Sequence, residues 1–198
     1  MKRITAFLLI AGLCLTACNT NNNKKNSVDS AKEANEQNDT SNMTTNTRPD
    51  TMTATPVNKD VSDFAVDAAS GSLMEVELGK IAQEKATNPR IKDFAAMVVK
   101  DHSNASDNLK KLASEKNIIL PAAISDEQKK DIDNLNKKTG KDFDKAYMKM
   151  MLDDHKKDIK KFEKAGNDLK DPDIKGFAMN TLPTLQKHLD SAKAINKQ

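Results

Sequence analysis

Three histidines, His102, His155 and His188, are the only ones in this chain of 198 residues, and each falls inside a long amphipathic run. His102 closes "FAAMVVKDH" and His155 closes "YMKMMLDDH", so each follows an aromatic residue by eight positions and an aspartate, Asp101 or Asp154, by one. Glu75 lies in the middle of another apolar run. Imidazole nitrogens with a carboxylate make a first shell for a divalent transition metal. The same groups, buried without a metal, would have to satisfy one another through hydrogen bonds. The sequence leaves both readings open.

Four long helices must position these groups. The first spans about Asp60 to Ala86 and carries Val61, Ala68, Glu75 and Ala82 at heptad spacing. The second opens at Pro89, a favoured first-turn residue after Asn88, and reaches about Lys116 along Ile91, Phe94, Val98, His102 and Leu109. The third runs over about Lys141–Asp168 through Met148, His155, Phe162 and Leu169. The fourth opens at Pro172 and carries Ile174, Phe177, Thr181, Leu185 and His188. Pro183 lies inside it and should kink it. Between the second and third, "NIILPAAISDEQKKDIDNLNKKTG" holds a Pro-broken loop and a short helix opened by the capping-box pair Ser125 and Gln128.

Similar openings, "NPRIKDFAAM" and "DPDIKGFAMN", suggest two related helical hairpins. The expected fold class is all-α, an antiparallel four-helix bundle with one long connection carrying a short extra helix. That connection can cross the bundle, which favours up-down-down-up order. Glu75, His102, His155 and His188 each sit roughly 13–16 residues into their helices, on the order of 20–24 Å at 1.5 Å per residue. One polar residue per helix would then meet in a central layer. Asp101 and Asp154 point about 100° away from the neighbouring histidine, which makes them candidates for supporting hydrogen bonds rather than ligands.

The chain opens with "MKRITAFLLIAGLCLTAC", a basic start and a short apolar run that reads as a secretory signal over residues 1–17. Its end, Leu15-Thr16-Ala17-Cys18, resembles the lipobox of bacterial lipoproteins, which implies lipidation at Cys18 and a firm membrane attachment. Asn19 after that cysteine resembles the outer-membrane default of such proteins, so the expected place is the cell envelope, facing the periplasm or the cell surface. Residues 18–59, rich in Asn, Thr, Asp and Lys, read as the lipidated cysteine and a disordered tether, and residues 60–198 as the folded domain.

The formal charge of +3 falls to +1 once Lys2 and Arg3 leave with the leader. Mixed charge and scarce aromatics give no basis for nucleic-acid binding. Cys14 leaves too, so no disulfide is expected. No cysteine or serine motif with an orienting partner supports nucleophilic catalysis, and the reading leans away from an enzyme. Nothing in the charged faces identifies a protein partner.

The motifs "AAxGxxxEVxLGKIA" at Ala68–Ala82, "IKxFAxxVVxDH" at Ile91–His102, "GKDFDKAYMxxMLxDH" at Gly140–His155 and "FAxxTLPTLxxHL" at Phe177–Leu189 resemble the 4142 family of domains of unknown function. The resemblance covers Val61–Ile195. It implies a ferritin-like four-helix bundle in an exported or lipid-anchored bacterial protein, and no established activity. Di-iron relatives of that fold use a Glu-x-x-His on two helices. Here Val99, Leu152 and Leu185 stand three residues before the histidines, so a di-iron centre is not expected. A single ion on Glu75, His102, His155 and His188 fits the pattern better. Copper, with Met148 and Met151 beside His155, is a softer variant, although Met at helical spacing is ordinary core. Two functions are consistent with these residues: a non-catalytic envelope lipoprotein with a stress-related or partner-binding role and a structural polar cluster, or a metal-binding or metal-dependent redox protein.

Overall fold

A computed structural model describes residues 26–41 and 58–197. The expected signal, the lipid anchor at Cys18 and most of the tether, residues 18–25 and 42–57, lie outside the described residues. The described residues are all-helical: α1 (Ser27–Ser41), α2 (Lys59–Lys85), α3 (Pro89–Glu115), α4 (Asp126–Asn136), α5 (Gly140–Asp168) and α6 (Pro172–Asn196). None of these helices is long and apolar enough to cross a membrane.

Capping chemistry sets the boundaries close to where the sequence puts them. Asn58, Asn88 and Asp171 each accept a backbone N–H from the first turn of the following helix, and Pro89 and Pro172 occupy first-turn positions that need no N–H partner. Ser125 and Gln128 close a complete capping box on α4. Gln128 also receives the Ser70 hydroxyl at 2.7 Å, which pins the long connection to α2. Helix α6 continues through Pro183 without a break.

The contacts fix the direction of the long helices. Thr87 and Asn88, at the end of α2, bond Asp144 near the start of α5, while Phe64 near the start of α2 meets Phe162 near the end of α5 with ring centroids 5.0 Å apart. Lys116, at the end of α3, pairs with Asp171 and Asp173 at the start of α6 at 2.7 and 2.8 Å. Each of these pairs therefore runs antiparallel, as do the hairpins α2/α3 and α5/α6, which gives the up-down-down-up order. Asp144 is a buried tie: its carboxylate accepts from Thr87 N at 2.9 Å, Thr87 Oγ1 at 2.5 Å and Asn88 N at 3.0 Å.

The expectation of a disordered tether fails over Ser27–Ser41. Helix α1 is capped by Asn26, whose side chain accepts from Val28 N and Asp29 N, and it buries Ala31 and Asn35. Asn35 donates to Ile119 O at 2.9 Å and accepts from Ile119 N at 2.8 Å. Lys32 pairs with Asp67 at 2.7 Å. A polar segment is thus docked by several polar ties, with Asn35 completing the backbone of the connecting loop and Ser27 Oγ accepting from Ala123 N at 3.1 Å, and with Ala31 buried beside them.

Candidate metal centre

The core is split into two apolar clusters. One holds Met74, Leu78, Phe94, Val98, Phe143, Tyr147 and Met151; the other holds Phe64, Leu109, Phe162, Ile174 and Leu185. Glu75, His102, His155 and His188 all lie buried at the level between them, at 2%, 6%, 0% and 0% exposure. Each sits mid-helix on the inward stripe of α2, α3, α5 or α6, as the shared depth in the sequence predicts. Close approach of α2 and α3 at Gly79, where a Cβ would come within 2.6 Å of Val99 Cγ2 and 3.1 Å of Ala95 O, brings Glu75 and His102 together.

Glu75 Oε2 lies 3.0 Å from His102 Nδ1, and Glu75 Oε1 lies 3.2 Å from His155 Nδ1. Glu75 is an ion-pair partner to both rings, while neither oxygen has the alignment of a full hydrogen bond. His155 Nδ1 has a better-placed acceptor in Met151 O, one turn back, at 2.9 Å. His188 Nε2 meets Asp101 Oδ2 at 2.9 Å, across the α3/α6 boundary. With those hydrogens on Met151 O and Asp101, His155 Nε2 and His188 Nδ1 are both left with lone pairs, and they face each other at 3.1 Å. His102 Nε2 is buried without a hydrogen-bond partner. One ligand nitrogen from each of the three rings lies within 4.8 Å of the others.

The electrostatics follow from burial and this arrangement. Burial would raise the Glu75 carboxyl, but the surrounding His102, His155 and His188 outweigh it and bring its pKa down to about 2. Burial would lower that of His102, but the Glu75 charge and contact outweigh it and hold it above the ordinary value. His188 goes the other way. Burial, with the charges of His102 and His155, outweighs the Asp101 hydrogen bond and brings it down to about 4, so the ring is neutral near pH 7. Asp158, half-buried, is raised to about 7 by burial and by Glu75.

Asp101 and Asp154 part company. Asp101 supports a histidine, though one on another helix rather than its sequence neighbour. Asp154 sits 3.5 Å from Lys157 and is raised by burial and by Glu75. Four further groups, none of them among the candidate site residues of the sequence, surround the layer. Ser72 donates to His102 O at 3.0 Å and contacts Ser106 Oγ at 2.7 Å. The Tyr147 hydroxyl is buried without a partner, and burial and Glu75 raise its pKa. Asp158, Ser72 and Ser106 line a cavity of about 20 Å³ beside Glu75 and His102, room for one water. Only their spacing from the histidines and Glu75, one helical turn in each case save Tyr147 at two, could have drawn attention to them. Met148 and Met151 belong to the apolar cluster, and it is the carbonyl of Met151 that meets His155.

An open cleft of about 710 Å³ between α3 and α6 borders this layer at one edge, where Asp101 and His102 help to line it. Neither curated proteins nor solved structures give a significant match to the chain. A family profile matches residues 46–195, three quarters of the sequence, and the chain belongs to that family, described as Domain of unknown function (DUF4142).

Proposed function

We propose that this protein binds a single divalent transition metal through His102 Nε2, His155 Nε2 and His188 Nδ1, with Glu75 and Asp101 orienting the rings. The observation that carries the reading is the 3.1 Å approach of His155 Nε2 to His188 Nδ1, two nitrogens whose hydrogens are engaged elsewhere. Two lone pairs at that distance repel unless a proton or a cation lies between them, and His188 is held neutral by burial and by the neighbouring rings. Tetrahedral ligation at about 2.0–2.1 Å sets nitrogens about 3.3 Å apart and ring centroids about 5.2 Å apart. The three centroid separations are 5.2, 5.4 and 5.7 Å. His102 completes the set by moving inward on the order of 1 Å, within the adjustment that metal binding drives.

Glu75 then faces His102 Nδ1 from the outside of the site, in the carboxylate–histidine–metal arrangement that raises ligand basicity, while Met151 O orients His155 and the Glu75 charge lies beside it. Three nitrogens and an open fourth position suit Zn²⁺ or a neighbouring borderline ion. No thioether joins the nitrogens that converge here, which leaves the Cu(I) variant without support. The antiparallel contacts of the four long helices and the long connection through α4 support the ferritin-like four-helix bundle as the fold, without its di-iron ligands. The leader and Cys18 support a lipoprotein that holds this domain in the bacterial envelope.

Equilibrium dialysis of the chelator-stripped full chain against Zn²⁺, Mn²⁺, Fe²⁺ and Cu²⁺ tests the reading. About one equivalent of at least one ion is expected, lost in His155→Gln and His188→Gln; less than roughly a tenth of an equivalent of every ion refutes it. The depressed Glu75 and raised His102 pKa values favour a second reading, a self-sufficient ion pair that only holds the core together. In that case the same variants lose stability and no ion is taken up by the parent chain.

A further inference from the structure

The α3/α6 cleft carries polar chemistry beyond the edge where it borders the histidines. Asn104 and Asn108 stand one turn apart on α3, and Asn180 and Thr184 stand one turn apart on α6, so the two antiparallel helices line one cleft with two polar pairs. None of these four side chains makes a hydrogen bond among the described residues. Asn and Thr are poorer interior helix residues than Ala, Lys or Glu, and Gly176, also in the cleft, is poorer still. Local propensity is given up at five positions that line the same space, which is the pattern expected of a binding surface. At Gly176 an added Cβ would meet nothing within 4 Å, so packing does not require the glycine.

The charges do not select an ion. Asp101 is engaged by His188 and Asp173 by Lys116, while Lys111 and Glu115, of opposite sign, stand one turn apart on α3. Lys111 and Glu115 thus leave no net charge at that end of the cleft, and the rest of its unengaged polar lining is neutral: three amides, each with donors and an acceptor, and one hydroxyl. Phe177 adds part of an apolar ring to the lining. Isolated side-chain amides above an aromatic suit a ligand that bears many hydroxyl or acetamido groups on one face and C–H groups on the other. An extended peptide would instead seek the unpaired backbone of a strand edge, which the cleft lacks.

We propose that the cleft between α3 and α6 binds a neutral saccharide segment, held by Asn104, Asn108, Asn180 and Thr184 and resting against Phe177. This site is distinct from the histidine layer below it and does not depend on a bound metal.

The test is calorimetric and NMR titration of the full chain, metal-free and zinc-equilibrated, with chitotriose and with cellotriose, and with a neutral tripeptide as the competing class. Saturable binding of one sugar is expected with Kd on the order of 1 mM or tighter, with amide shifts confined to α3 and α6. Gly176→Phe, which fills the trough, and the pair Asn104→Ala with Asn180→Ala should each weaken it at least roughly tenfold. All these changes raise helix propensity on the exposed side, and circular dichroism should stay unchanged. The proposal is overturned if neither sugar saturates, if the variants bind as well as the parent, or if the tripeptide binds more tightly than both sugars. Metal uptake measured on the same samples separates the two sites: its loss leaves sugar binding in place, and failure of the sugars leaves the metal result standing.

Discussion

Replacing His188 by Gln should change the pH dependence of stability in a calculable way. His188 is fully buried, neutral and bonded through Nε2 to Asp101, with its pKa brought down to about 4 from the ordinary 6.5. A group depressed in this way contributes stability that is fully present above its unfolded pKa and lost as pH falls from 6.5 through 4. At about 1.4 kcal/mol per pH interval of one, the loss approaches about 3 kcal/mol in the parent chain, and a Gln at this position does not incur it. At pH 7 the variant gives up the imidazole's packing and part of the Asp101 bond, about 1–2 kcal/mol. The measurement is urea unfolding of the metal-free full chain and the variant, followed by circular dichroism, at pH 7 and pH 4. The variant should be less stable at pH 7, and the difference should move by about 3 kcal/mol and so change sign at pH 4. Other carboxylates and His102 titrate in both chains and largely cancel. An unchanged difference between the two pH values refutes the neutral His188 on which the Nδ1 lone pair depends.

Four further changes probe how the helices are held in place. Asp144→Ala removes the acceptor of three hydrogen bonds at the α2–α3 junction and should cost about 2–4 kcal/mol in urea unfolding; a cost under about 1 kcal/mol contradicts its role as a tie. Gly79→Ala forces a Cβ against Val99 and the Ala95 carbonyl and should destabilise by about 1 kcal/mol net of the gain in helix propensity. Gly71→Ala, whose Cβ meets only Asp158 Oδ2 at 3.8 Å, should stabilise by up to about 1 kcal/mol, so thermal melts of the two must move in opposite directions. Asn35→Ala should abolish hydrogen-exchange protection across α1 and leave α2–α6 protected; retained protection in α1 means that the Ile119 bonds do not dock it.

Much of this molecule can be read from its sequence because its signals are local. Asn88-Pro89, Asp171-Pro172 and Ser125 with Gln128 mark helix starts by capping chemistry that acts within one turn, and the inward stripes place Glu75 and the histidines on one level. What escaped the sequence is long-range. Helix α1 depends on Asn35 meeting a backbone that lies 84 residues away, which no local pattern announces. Asp101 reaches His188 rather than anything on its own helix, because the α3/α6 contact, not the neighbouring position, decides its partner. Face and depth put Glu75 among the histidines, but only the folded chain shows that its two oxygens lie by the Nδ1 atoms of His102 and His155. Periodicity gives the face of a residue. Which nitrogen of an imidazole points where is settled only by the atoms it meets.

The orientation of each imidazole is open to direct measurement. Long-range proton–nitrogen NMR of the histidine side chains, recorded on the full chain before and after one equivalent of Zn²⁺, reports the protonated and the metal-bound nitrogen of each ring. Zinc is expected at Nε2 of His102 and His155 and at Nδ1 of His188, with the Nε2 hydrogen of His188 retained toward Asp101. Imidazole signals that do not shift with zinc, or zinc bound through Nε2 of His188, would contradict the three-histidine centre.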